Sequence, residues 1–303
     1  MSEIAIHTQN LGKSYDGAVY AVHGLSLEIP TGSVFGFLGP NGAGKTTTVK
    51  LLTGLLKPTE GSCAVFGLAP AQKPAEVHRV CGVVTETARM YGRMTGMQNL
   101  LFYGQLFGLE RRECRERAER LLKRMDLWDA RDKFLSAYST GMAQRLSLAR
   151  ALIGAPRMLF LDEPTGGLDP ESALAVNAMI GALAREEGVS VFLCTHQLRY
   201  AQDICTSYGI LHKGKLLACG DLESLSREIG LPLRAQLRLK TKNPPDGLEQ
   251  VGEGWWRADL ESEEEMPALL KRVVSGGCDV YEARLTRPTL EDVYFQFVKM
   301  KGA

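Results

Sequence analysis

Apolar positions recur along this chain with two different periods, and the change of period divides it. Residues 4–7 (Ile4-Ala5-Ile6-His7) and 20–29, where Val22, Leu25, Leu27 and Ile29 alternate with polar neighbours, predict strands. The apolar runs at 34–38 and 64–66 add two more, so the N-terminal part is strand-rich. From Thr95 to about Ala155 the spacing turns helical and polar, with residues 111–125 the clearest amphipathic run. This predicts a helical subdomain inserted over about residues 87–155.

After Pro156 the apolar, β-rich segments return at 158–161 and 189–194, separated by a helical stretch at 172–187. That alternation is the mark of a parallel sheet covered on both faces. Residues 210–218, with Lys213-Gly214-Lys215 at the centre, predict a hairpin, and Asp221 caps a short helix reaching about Glu228. Residues 1–228 are thus expected to form one domain and 229–303 a small accessory α+β domain. In the latter, 233–239 predicts a strand, 242–247 a loop, 280–285 a strand and 290–298 a helix. A helix is also expected over about 262–274, with Ser262 and Glu265 at capping-box spacing and Pro267 allowing a later start.

Gly39-Pro40-Asn41-Gly42-Ala43-Gly44-Lys45-Thr46 fits the phosphate-binding P-loop and sits where the strand 34–38 passes into a helix. Glycines allow positive φ and close approach to phosphate oxygens, so that backbone N–H groups and a helix N-terminus face the anion. Lys45 supplies a point charge to the β/γ oxygens, and the Thr46 hydroxyl is a ligand for the Mg²⁺ of a nucleoside triphosphate. This motif alone leaves a kinase, a GTPase and a transport ATPase open.

Composition narrows the partners. Lys+Arg number 36 against 35 Asp+Glu, for a net +1, which supplies no overall attraction to nucleic acid or anionic lipid. Basic clusters such as Arg111-Arg112 are interleaved with acids, as on a solvated helix face. The seven cysteines are scattered without a CxxC pair and read as reduced thiols, several of them in core strands. The N-terminus lacks a basic patch followed by an apolar stretch, and no run approaches the roughly eighteen apolar residues needed to span a bilayer, so a cytoplasmic protein is expected.

At 158–164 an apolar strand ends in Asp162-Glu163-Pro164, two adjacent carboxylates where a P-loop ATPase places its metal-binding and water-activating acids. With these motifs in order, residues 4 to 228 resemble the ATP-binding cassette (ABC) family. Ser139-Thr140-Gly141-Met142 is similar to the family signature, in which Ser139 and Gly141 open a helix facing the other subunit's nucleotide. Gly167-Leu168-Asp169 is similar to the D-loop, and Thr195-His196 stands at the switch-histidine position.

The resemblance implies an α/β fold: a P-loop ATPase core with an N-terminal antiparallel β subdomain, the helical insertion and the C-terminal α+β appendage. It implies ATP and Mg²⁺, with Glu163, His196 and Lys45 catalytic. Tyr15 would stack on adenine, Gly39, Pro40, Asn41, Gly42, Ala43, Gly44, Lys45, Thr46 and Thr47 would hold the phosphates, and Thr46 and Asp162 would hold the metal. The chain departs from the family pattern in two places, the signature, where Tyr138, Thr140 and Met142 replace its Leu, first Gly and Gln, and the Q-loop. In the latter, Glu86 stands where a Gln normally bridges metal, water and the membrane partner; a carboxylate there keeps a nucleotide and metal contact but repels the γ-phosphate.

The resemblance further implies a head-to-tail dimer, with a second copy of the chain or a paralogous cassette, that closes on two ATP molecules and reopens on hydrolysis. A separate transmembrane permease would dock over the region from Glu86 through Asn99, around Tyr91-Gly92-Arg93-Met94-Thr95, and hold the subunit on the inner face of the cell membrane. The tail Thr286-Arg287-Pro288-Thr289-Leu290-Glu291-Asp292-Val293-Tyr294 resembles the ending of bacterial multidrug and polysaccharide-type exporter subunits, which implies export. The alternative reading is a nucleotide-responsive regulatory subunit with weak ATPase activity.

Overall fold

Strands 34–38, 158–162 and 190–195 carry no polar alternation because both of their faces are covered, and this fixes the centre of the fold. A computed structural model describes residues 3–85, 90–241 and 246–301; Glu86 lies outside the described residues. Contacts divide the chain into a first unit, Met1–Asp221 with Met300–Ala303, and a second, Leu222–Lys299. The short helix expected after Asp221 falls with the second unit.

The first unit opens with β1 (Ile4–Ser14), β2 (Tyr20–Pro30) and β3 (Val34–Leu38), followed by α1 (Lys45–Leu52), β4 (Glu60–Val65), α2 (Pro74–Val80) and β5 (Cys81–Val84). The helical block comprises α3 (Gly96–Leu106), α4 (Arg111–Arg124) and α5 (Thr140–Leu152). Then come β6 (Met158–Asp162), α6 (Pro170–Glu187), β7 (Ser190–Thr195), α7 (Leu198–Ile204), β8 (Ser207–His212) and β9 (Lys215–Gly220). β1, β2 and β4 form an antiparallel sheet in the order β2-β1-β4. The six-stranded sheet runs β5-β6-β7-β3-β8-β9, parallel except for β9, which pairs antiparallel with β8.

Every residue of β3, β6 and β7 is buried. Phe35, Phe37 and Phe160 converge on Phe192, with ring centroids 5.6, 5.1 and 5.8 Å away. This close-packed centre fixes where the C-terminal ends of β3, β6 and β7 emerge, and the candidate site sits on those ends. The predicted hairpin forms between β8 and β9, turned by Lys213 and Gly214 at φ +45° and +79°. β1 runs seven residues beyond the predicted 4–7, since Leu11 is also buried and irregularities in its pairing break the simple alternation.

The second unit holds α8 (Leu222–Glu228), β10 (Leu233–Lys240), β11 (Glu249–Gly252), β12 (Trp255–Leu260), α9 (Glu265–Ser275), β13 (Asp279–Thr286) and α10 (Leu290–Lys301) as far as Lys299. Its antiparallel sheet has the order β11-β12-β10-β13, and Leu269 and Val273 of α9 pack with Ala235, Leu237 and Leu239. The expected capping box is absent: α9 begins at Glu265 with Glu264 as its N-cap and no side-chain cap bond, leaving Ser262 outside. Pro267 explains the shift, because it is tolerated only in the first turn, where its missing N–H needs no partner.

Candidate functional site

The phosphate loop is built by the passage from β3 into α1. Gly44, the N-cap of α1, has φ +110°, and a Cβ there would lie 2.3 Å from the Ala21 carbonyl oxygen, so no side chain fits. No side chain caps α1, whose first-turn N–H groups lack intrahelical acceptors as in any helix. Lys45 is buried, its Nζ donating to the carbonyls of Gly39 at 2.6 Å and Pro40 at 3.2 Å. The Thr46 hydroxyl donates to Asp162 Oδ2 at 2.7 Å. Tyr15 is exposed, its hydroxyl 3.3 Å from Thr47 Oγ1 and its ring 5.8 Å from Lys13 Nζ.

Asp162 closes β6, and Glu163 turns the chain away with φ +50°, a left-handed backbone that a non-glycine residue adopts at a cost. The turn is pinned by the Glu163 N–H to Cys194 carbonyl bond at 2.9 Å and the Gly166 N–H to Glu163 carbonyl bond at 3.0 Å. The Glu163 carboxylate is 7% exposed, with the Lys45 ammonium and several hydrogen-bond donors around it. Lys45 Nζ lies 3.6 Å from Oε1, the His196 backbone N–H donates to Oε1 at 3.0 Å, and His196 Nδ1 is 2.7 Å from the same oxygen. The Thr195 hydroxyl donates to Oε2 at 2.8 Å. Such pairing offsets the penalty of burying a charge.

These contacts bring Lys45, Thr46, Asp162, Glu163 and His196 together from three strand ends. Ser139 and Gly141 have separate contacts. Ser139 caps α5 by accepting from the Met142 N–H at 3.2 Å. A Cβ on Gly141 would meet Ser172 Oγ at 2.9 Å, so a glycine there lets α5 approach the start of α6. Asp169 caps α6 through the Ser172 N–H at 2.9 Å, and that bond holds its carboxyl below the usual range. None of these contacts reaches Lys45, Thr46 or Glu163. Sequence reasoning gave no role to Thr195 or to Gln197, whose N–H donates to Thr195 Oγ1 at 2.9 Å.

The oxygen set suits a hard cation. The Thr46 hydroxyl and the Asp162 carboxylate are donors of the kind Mg²⁺ takes, and among the described residues no group of three or more His, Cys, Asp or Glu side chains forms a cage. Mg²⁺ typically combines one or two protein ligands with phosphate oxygens and water. A cleft of about 880 Å³ lies instead at the other ends of the strands, beside Arg157 and Ser190. Its arginines are largely engaged: Arg117 with Glu113, Arg124 with Glu187, and Arg157 with Glu3.

Residues 22–166 match the profile of the ABC transporter family. The bacitracin transport ATP-binding protein BcrA of Bacillus licheniformis is 32% identical over 98% of this chain and 97% of its own length. The daunorubicin resistance ATP-binding protein DrrA2 of Streptomyces coeruleorubidus is 35% identical over 98% and 95%. Among solved structures, an ATP-binding subunit of an ABC transporter superposes with a TM-score of 0.68 at 29% identity, covering 75% of this chain and 94% of its own. A dimeric bacterial ABC transporter cassette gives 0.65 at 25% identity, covering 72% and 98%. With the P-loop, the paired carboxylates and the signature helix all inside the matched fold, this chain belongs to the ABC transporter family, as an ATP-binding subunit that hydrolyses ATP.

Proposed function

We propose that the site hydrolyses ATP with Glu163 as general base, and that the energy drives export through a separate membrane permease. The observation that carries the base assignment is the Glu163 carboxylate itself: buried, anchored by Thr195 and His196, and 3.6 Å from the P-loop lysine. In the reaction a water attacks the γ-phosphorus in line, its proton passes to Glu163, and the bond to the leaving oxygen of ADP breaks. Lys45 neutralises charge on the β/γ oxygens, and His196 holds the γ-phosphate region next to Glu163. Thr46 and Asp162 hold Mg²⁺, which supplies charge neutralisation on the phosphate oxygens. Gly39 to Thr47 line the phosphates and Tyr15 stacks on the base.

The signature is assigned to the nucleotide of a second cassette. Ser139 and Gly141 open helix α5 on contacts that do not run to the chain's own P-loop, and a similar cassette has been solved as a dimer. We place the permease contact at 91–99, where buried Asn99 pins the backbone through Tyr91, Met94 and Thr95 while Tyr91 stays exposed. Export and a peripheral membrane location are supported by relatives named for antibiotic resistance and transport. Among the described residues no helix is long and apolar enough to cross a membrane.

Mg²⁺-dependent ATP turnover of the full chain, beside Glu163→Gln, tests the reading. A general base contributes roughly 10²- to 10⁴-fold, so the variant should lose about 3–5 kcal/mol of barrier lowering while still binding ATP. Chelating Mg²⁺ should abolish turnover in the wild type. Normal turnover in the variant removes Glu163 from the role; ATP binding without turnover in either protein favours the nucleotide-responsive subunit.

A further inference from the structure

Glu163 is held from its own side by a closed hydrogen-bonded ring. The buried Thr195 hydroxyl, 2% exposed, donates to Glu163 Oε2 at 2.8 Å. The same hydroxyl oxygen accepts the Gln197 N–H at 2.9 Å. The Gln197 side-chain carbonyl accepts the Thr165 hydroxyl at 3.2 Å, and Thr165 stands two residues after Glu163. The ring therefore ties the end of β7 to the loop that begins at the carboxylate, on either side of it.

We infer that Thr195 is a positioning residue for ATP hydrolysis: its hydroxyl fixes the rotamer of the Glu163 carboxylate, and Gln197 and Thr165 fix the hydroxyl. The inference rests on Glu163 being the base. The chemistry of the ring selects the residue type. A hydroxyl has one proton to give, and the Gln197 N–H already occupies a lone pair, so the Thr195 proton is directed at Oε2. The other contacts converge on Oε1, where Lys45 and His196 act. Among the described residues Thr195 thus supplies the hydrogen bond to Oε2, and without it the carboxylate can rotate about its terminal torsion, which is broad. Glu163 sits on a left-handed backbone, so the side chain needs such a hold more than one on a relaxed backbone.

The experiment uses the full chain and compares Thr195→Val, Thr195→Ser and Glu163→Gln, with Thr195→Val also made in the Glu163→Gln background. Valine keeps the volume and removes the hydroxyl. A hydrogen bond to a charged group of this kind predicts a kcat about ten- to a hundredfold lower with KM for ATP unchanged. Serine should restore most of kcat. In the double variant the loss should vanish, because a residue acting through Glu163 has nothing left to position. Unchanged kcat in Thr195→Val, or a loss that adds in full to that of Glu163→Gln, overturns the inference while leaving Glu163 as the base. Normal turnover in Glu163→Gln overturns the base assignment itself, and with it this one. Should Thr195→Val fail to fold, Thr165→Val tests the ring from its far end: severalfold lower kcat at unchanged KM is expected, and unchanged kcat overturns the inference.

Discussion

The two units of this chain treat charge in opposite ways. In the first, Lys45, Asp162 and Glu163 are buried beyond the ends of β3 and β6; Lys45 pairs with Glu163, Thr46 holds Asp162, and Thr195 and His196 hold Glu163. In the second, the core beneath the sheet is apolar, and the charges lie on strands as partly exposed cross-strand pairs such as Arg257–Glu249 and Arg238–Glu282. Surface pairs of that kind contribute little to stability, whereas burying charge is costly and persists where chemistry requires it. Burial of paired charge, more than its amount, separates the reacting part of the molecule from the part built as scaffold.

Three substitutions sharpen the contrast. Lys45→Ala removes a buried cation that phosphate is expected to contact; ATP affinity should fall by about 4 kcal/mol, roughly a thousandfold, as equilibrium binding of a labelled nucleotide would record. A loss under tenfold would mean that the buried cluster is structural. Leu237→Ala, in the core of the second unit, should cost about 3 kcal/mol of stability in a denaturant melt while ATP affinity stays as in the wild type. Lost nucleotide binding in that variant would end the description of the second unit as scaffold. Arg257→Ala should change stability by under about 1 kcal/mol, and a larger effect in the same melt would give the surface pairs a role denied to them above.

Much of the first unit is legible in the sequence because its strands announce themselves: an unbroken apolar run such as 34–38, followed at once by glycines, has few other meanings. The second unit is less legible. β11 and β12 went unpredicted, although Trp256, Ala258 and Leu260 alternate toward the core; Gly252 and Gly254 around the turn between them break the run, and two adjacent tryptophans blur its period. Helix α3 carries a capping box between Thr95 and Gln98, a local signal inside a stretch whose spacing by itself predicts only a helical region. Within the site, Lys45, Thr46, Asp162 and Glu163 follow from local motifs. Thr195 does not, because its importance lies in a convergence of 163, 165, 195 and 197 from two strand ends, and no local spacing encodes that.

The left-handed backbone at Glu163 sets activity against robustness. A non-glycine residue held at φ +50° costs of order 1 kcal/mol or more, and burying its carboxylate adds to the cost. Glycine at 163 would relieve the backbone strain but would leave the buried Lys45 ammonium without its carboxylate partner, so the strained turn and the buried charge are held together or not at all.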